Sequence, residues 1–168
     1  LFRSSAASDV YKRQLLNKMK NSKMFFEDFE IGLVFNTGSK IITKDEIISF
    51  AKNYDPQYFH VDENKAKNGP FGTLVSSGFM TLGVSFTQFF ETGVVKDTGM
   101  GAWGIDELRW TFPVYPNDEL KSEVKVIEKK LSSKNPNKGT VRTLHTVTNQ
   151  NDKVVMTWIA NFLIKTKN

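Results

Sequence analysis

Between Gly72 and Phe90 the chain carries no charged side chain. Within this stretch the run F-M-T-L-G-V-S-F-T-Q-F-F places apolar residues on every side of a helical wheel. A helix lying on a protein surface keeps one charged face, whereas one that is apolar all round is buried. The run therefore predicts a central helix of about three turns enclosed by other elements. Ser76 or Ser77 is placed to cap its N-terminus.

Elsewhere the pattern changes period. Residues 33–42 are rich in Val, Phe, Thr and Ile and predict a first strand. Thr43-Lys-Asp-Glu46 has the form of a capping box, and Ile47, Ile48, Phe50, Ala51 and Tyr54 follow at helical spacing. Pro56 disfavours helical geometry in the residue before it, so this helix should stop at Asp55. Asp62 is expected to cap a short polar helical turn. Glycines 93, 99, 101 and 104 mark a loop after the central run. Strands are predicted over 102–112, 120–131, 140–148 and 153–164, the second alternating apolar with charged residues. Asn149-Gln-Asn-Asp152 suits a hairpin between the last two. One strand, two helices and four strands joined by short links predict an α+β domain, its antiparallel sheet wound over one helix.

Composition narrows the function classes. A chain of 168 residues with 39% hydrophobic content supports one domain with a real core. It has no cysteine, which excludes a disulfide framework, thiolate metal sites and a Cys nucleophile, and fits a reducing, cytoplasmic compartment. Charged residues interrupt every apolar candidate outside the central run, and Gly83, Ser and Thr interrupt that one, so no membrane span is expected. Residues 1–18 show no core-facing period. S-S-A-A-S-D-V-Y-K-R-Q resembles translated adaptor sequence, and no apolar region of about 7–15 residues marks a signal peptide. A native start at Met19 or Met24 is expected, with one domain over 19–168. Residues 1–18 carry a net +3 of the formal +5, leaving about +2. That mild balance gives no argument for nucleic acid.

The candidate chemistry stands just before the central run. D-P-Q-Y-F-H-V-D-E sets a carboxylate, Asp55, and an imidazole, His60, five residues apart on a Pro-containing loop. The loop and the start of the helix are expected to form an active site.

F-A-K-N-Y-D-P-Q-Y-F-H-V-D-E, S-S-G before the central run and I-D-E-L-R-W-T-F-P-V-Y-P-N-D together resemble the MaoC-like dehydratase / R-specific enoyl-CoA hydratase family, which has the hotdog fold. The resemblance covers residues 25–164. It implies that Asp55 and His60 are the catalytic pair of a hydro-lyase acting on a 2-enoyl or 3-hydroxyacyl thioester of coenzyme A or an acyl carrier protein. Better-studied hydratases read D-x-N-P-x-H and, later, H-G-M. Here Gln57-Tyr58 stands for Asn-Pro and Ser77-Gly78 for His-Gly.

Such a reaction needs a base for water, a proton for the α-carbon and a donor to the thioester oxygen. An Asp/His pair can serve as base and acid, and the N–H of Gly78 at the helix start can meet the oxyanion. A group near Ser85 could orient Asp55 from within the helix. No metal or other cofactor is required. By analogy of fold the chain should form a homodimer or dimer of dimers. Lys129, Lys130, Lys134, Lys138 and Arg142 could meet phosphates or simply be solvated. His145 is expected to be an ordinary sheet residue, and Arg109 to pair with Asp106 or Glu107. Two competing readings are a hotdog thioesterase, for which Glu91 lies at the wrong end of the helix, and a non-catalytic acyl-CoA-binding module.

Overall fold

The computed structural model describes residues 23–167. Residues 1–18, expected to be a foreign extension, lie outside the described residues. A 3-10 turn at Phe26–Asp28 leads into two short strands, β1 (Val34–Asn36) and β2 (Lys40–Ile41). Three helices follow: α1 (Lys44–Tyr54), α2 (Tyr58–Val61) and α3 (Glu63–Ala66). The long helix α4 (Gly78–Glu91) comes next, then strands β3 (Gly99–Trp110), β4 (Glu119–Leu131), β5 (Lys138–Thr148) and β6 (Val154–Lys165). Every strand pairing is antiparallel, in the order β1-β4-β5-β6-β3, with β2 also on β4. This is the hotdog arrangement of a sheet curved around a helix.

Strong local signals gave their elements. Thr43 Oγ1 accepts from the Glu46 N–H at 3.2 Å and Glu46 returns a bond to the Thr43 N–H at 3.0 Å, so α1 begins on a complete capping box. Alternation along β4 and β5 puts Val124, Val126, Val141 and Val147 under the helix. There they join Trp158, Ala160 and Phe162 of β6 and the fully buried Phe89 of α4, which stacks on Phe162 at 4.7 Å.

Three expectations change. Residues 33–42 form two strands, because the chain breaks at residues 37–39, where the Gly38 carbonyl takes a bond from Gln88 Nε2 at 3.0 Å. Gly99, Gly101 and Gly104 lie within β3, whose register shifts three times against β6 and which holds Gly101 at φ 100°. The left-handed conformation there suits glycine and lets the strand continue through a bulge. The third concerns α4. The sheet covers one side, where Met80, Thr81, Ser85, Gln88 and Phe89 are buried, while Phe79 and Phe90 on the other side are 58% and 44% exposed in the single chain.

The sheet-facing side of α4 is held by polar bonds as well as by packing. Trp158 Nε1 donates to Ser85 Oγ at 3.0 Å, and Ser85 and Ser122 share a hydroxyl bond at 3.0 Å. His145 stacks on Trp158 at 3.9 Å, and burial pushes its imidazole down to about 3 from 6.5.

Phe89→Ala should lower unfolding stability by about 3–5 kcal/mol in urea titration, since the ring is fully buried and stacked. His145 predicts a pH effect. Its folded pKa lies below its unfolded one, so the unfolded chain binds the proton more readily and stability falls as pH drops from 6.5 toward 3. Thermal melts across that window should show a shallower fall for His145→Gln than for the parent protein.

Candidate active site

Helix α1 ends where Pro56 forces it to. Asp55 is its C-cap, with the N–H bonded to the Ala51 carbonyl at 2.9 Å and the backbone turned out of the helix. The chain then makes the single turn α2, which carries His60; the sequence had suggested loop here. His60 is 5% exposed. Its Nδ1 lies 2.7 Å from the Val75 carbonyl, and since a carbonyl only accepts, Nδ1 carries a proton. Nε2 is thereby left as the exchanging nitrogen, 3.3 Å from Asp55 Oδ2.

Residues 74–77 run extended into α4. The Val75 N–H binds the Phe59 carbonyl at 3.1 Å and the Ser76 N–H the Val114 carbonyl at 2.8 Å, which seats the start of α4 against α2. Ser77 is the N-cap, accepting from the Phe79 N–H at 3.2 Å. The same hydroxyl donates to Asp55 Oδ2 at 2.7 Å, while Gln57 Nε2 donates to Oδ1 at 2.8 Å. Burial raises the Asp55 pKa, but the bonds from Ser77 and Gln57, with the His60 charge, outweigh it and leave the carboxyl below its ordinary range.

Gly78, the first residue of α4, has an N–H with no acceptor among the described residues. Its carbonyl accepts from Trp110 Nε1 at 2.9 Å. A Cβ at this position would lie 2.4 Å from the indole ring, so only glycine admits Trp110 this close. Asp55, His60 and Gly78 all line one cavity of about 390 Å³, walled by Phe59, Phe71, Phe79, Trp110 and Phe112. The three residues expected to form the site thus share one space. A carboxylate beside an imidazole in an apolar-walled cavity can move a proton, and Gly78, whose N–H has no acceptor among the described residues, lines the same cavity. Among the described residues no group of three or more His, Asp or Glu side chains is placed to hold a metal ion.

Several other residues fall elsewhere. Ser85 is two turns into α4, bonded to Ser122 and Trp158, and cannot orient Asp55. The α4 side chain bonded to Asp55 is that of its N-cap, Ser77. Arg109 donates to the Leu108 carbonyl, while Asp106 pairs with Arg142 at 3.0 Å. The strand shifts register between Asp106 and Arg109, with Glu107 at φ 49°, and the expected pairing of Arg109 with Asp106 is not made. Arg142 also binds Glu128, and Lys129 the carbonyls of Phe26 and Glu27, so both have structural partners. Asp62 caps α3 through the N–H groups of Asn64 and Lys65. The sequence marked Gln57 only as a departure from Asn, without a role, and did not single out Trp110, whose signal was its place in the motif after Gly104.

The family description "MaoC like domain" matches residues 28–149. The chain belongs to the MaoC-like family. It is 37% identical over 142 residues to the uncharacterized protein YdeM of Bacillus subtilis, covering 84% of this chain and 99% of that one. It is 36% identical over 75 residues to 3-hydroxyacyl-thioester dehydratase Z of Mycobacterium tuberculosis, covering 44% of this chain and 50% of that protein. Among solved structures, a MaoC-like dehydratase from Rhodospirillum rubrum superposes with a TM-score of 0.80 at 29% identity, over 86% of this chain and 99% of that one. The R-hydratase PhaJ1 from Pseudomonas aeruginosa shares the fold, with a TM-score of 0.70 at 24% identity over 86% of this chain and 88% of its own.

The Gly78–Trp110 contact makes a direct prediction for this MaoC-like domain. Gly78→Ala should displace the indole, seen as a shift of the Trp110 Nε1–H resonance in a ¹H–¹⁵N spectrum, and destabilise the fold. The stability losses of Gly78→Ala and Trp110→Ala should be strongly non-additive, because the second removes the atoms that the first collides with.

Proposed function

We propose that this protein adds or removes water across the double bond of a 2-enoyl/3-hydroxyacyl thioester, with Asp55 and His60 as the acid–base pair. The observation that carries this reading is the placing of Asp55 Oδ2, His60 Nε2 and the free Gly78 N–H around one cavity. In the hydration direction a water in the cavity, held beside Asp55 and His60, gives up a proton to the pair as its oxygen bonds to the β-carbon. The electron pair of the double bond moves toward the thioester, where the Gly78 N–H at the positive end of α4 receives charge on the carbonyl oxygen. The pair then returns a proton to the α-carbon. With Nδ1 held by Val75, the His60 proton enters and leaves at Nε2.

The dehydratases among the proteins that this chain resembles, from Mycobacterium tuberculosis and Rhodospirillum rubrum, support this reaction class. A thioesterase is less well served, since Glu91 is exposed at the far end of α4 and Asp55 is the one carboxylate lining the cavity. The carrier is coenzyme A or an acyl carrier protein. Among the described residues no helix is long and apolar enough to cross a membrane. A cytoplasmic location is part of the proposal and rests on the cysteine-free composition, which suits a reducing compartment. We also propose a homodimer, or a dimer of dimers, built on β3. This edge strand leaves Met100, Trp103, Ile105 and Trp110 between 42% and 61% exposed. A strict monomer by sizing chromatography would count against it.

Crotonyl-CoA should lose its enoyl absorbance without release of free thiol. Asp55→Asn and His60→Ala should each reduce turnover by about 10²–10⁴-fold while remaining folded by circular dichroism. Thiol release would point to hydrolysis, and neither signal to a binding module. Full activity in both variants would remove the mechanism.

A further inference from the structure

We propose that Gln57 and Ser77 act together as a clamp on Asp55, one on each carboxylate oxygen, and that Ser77 is the positioning residue that aims Oδ2 at His60. These are positions at which this chain departs from the D-x-N-P-x-H and H-G-M patterns of the hydratases it resembles. A family position that carries Asn elsewhere is here Gln57, bonded to Oδ1 at 2.8 Å. The position that carries His elsewhere is Ser77, bonded to Oδ2 at 2.7 Å.

The two grips differ in kind. Gln57 is exposed and its amide reaches back only two residues. Ser77 is fully buried and comes from the start of another helix. Its hydroxyl accepts from the Phe79 N–H, so its own proton is directed at the carboxylate. An ionised carboxylate only accepts, so the Ser77 hydroxyl is the donor in this bond, and the bond stabilises the ionised form of Asp55. The other titratable group facing Asp55 is His60 of α2; the cavity residues from α4 and from the 110–114 segment carry none.

This inference rests on Asp55 and His60 being the working pair, and the test separates the two claims. The Asp55 carboxyl carbon is titrated by ¹³C NMR in the ligand-free protein, alongside the pH profile of crotonyl-CoA hydration. Activity that needs ionised Asp55 falls as pH drops through its pKa, so removing a donor moves the acid limb upward. Ser77→Ala should raise both the titration midpoint and the acid limb by about one to two pH units. Ser77→Asp keeps an acceptor for the Phe79 N–H and hence the helix cap, yet removes the donor and adds a like charge; it should shift both further. Ser77→Thr should recover the wild-type limb, and Gln57→Ala should shift it less than Ser77→Ala. An Asp55 midpoint unmoved in both Ser77→Ala and Ser77→Asp overturns the clamp, as does loss of rate that is uniform in pH. A midpoint that moves in a protein without hydratase activity upholds the clamp and discards the reaction.

Discussion

Two helix ends meet in the hydrogen bond between Ser77 and Asp55, and the site is built outward from that bond. One helix must stop there because Pro56 follows, and the other starts there because Ser77 caps it. Asp55 closes α1 at the end where its dipole is negative, an unfavourable place for a carboxylate. It is stable because the same point is the amino end of α4, with unpaired N–H groups and positive potential. The partial burial of Asp55 would by itself favour the protonated acid, and the bonds from Ser77 at that end and from Gln57, with the His60 charge, reverse the preference. Fold and chemistry therefore impose one requirement: the start of α4 must touch the end of α1. The bonds of Val75 and Ser76 to Phe59 and Val114 hold it there.

The polarity of α4 follows from the sheet that it lies in. Its buried face includes Thr81, Ser85 and Gln88, and each side chain finds a partner. Thr81 bonds back to the Ser77 carbonyl, Ser85 joins Ser122 and Trp158, and Gln88 donates to the carbonyls of Gly38 and Leu120. The Gln88 bonds explain the break in the first strand. Where residues 37–39 leave the ladder, the Gly38 carbonyl needs a donor, and α4 supplies one across the core. Strand break and buried glutamine are one feature seen from two sides. The large aromatic residues displaced from this face, Phe79 and Phe90, then stand on the open side of the helix.

What was legible in the sequence was what depends on near neighbours. The Thr43–Glu46 box, the stop at Pro56 and the alternation along β4 and β5 are contained within a few residues each, and the structure keeps them. The pairing of Asp55 with His60 was legible for the same reason, since five residues and one turn separate them. Ser77 was legible as a cap but not as the partner of Asp55, because the second role requires knowing where a residue 22 positions earlier lies. Arg109 shows the opposite failure. The sequence reading paired it with Asp106 or Glu107, whereas the strand is irregular beside Glu107 and Asp106 pairs with Arg142. Irregularity within a strand leaves little trace in residue type unless a glycine marks it, and Glu107 does not.

Gly78 joins the site to the edge of the sheet. Trp110, the last residue of β3, lies flat against its Cα and donates to its carbonyl, so the first peptide of α4 is pinned by a strand as well as by its cap. The position of the free N–H relative to Asp55 therefore depends on where β3 ends. β3 is an edge strand, bonded on one side only, and its register against β6 shifts three times along its length. Such a strand resists displacement less than one paired on both sides, because half of its backbone groups have no protein partner. Covering that edge with a second chain would stiffen β3 and, through Trp110, the helix start that lines the cavity. Assembly and the placing of the Gly78 N–H would then be coupled through one indole ring, although an indole N–H committed to the Gly78 carbonyl cannot itself relay a proton.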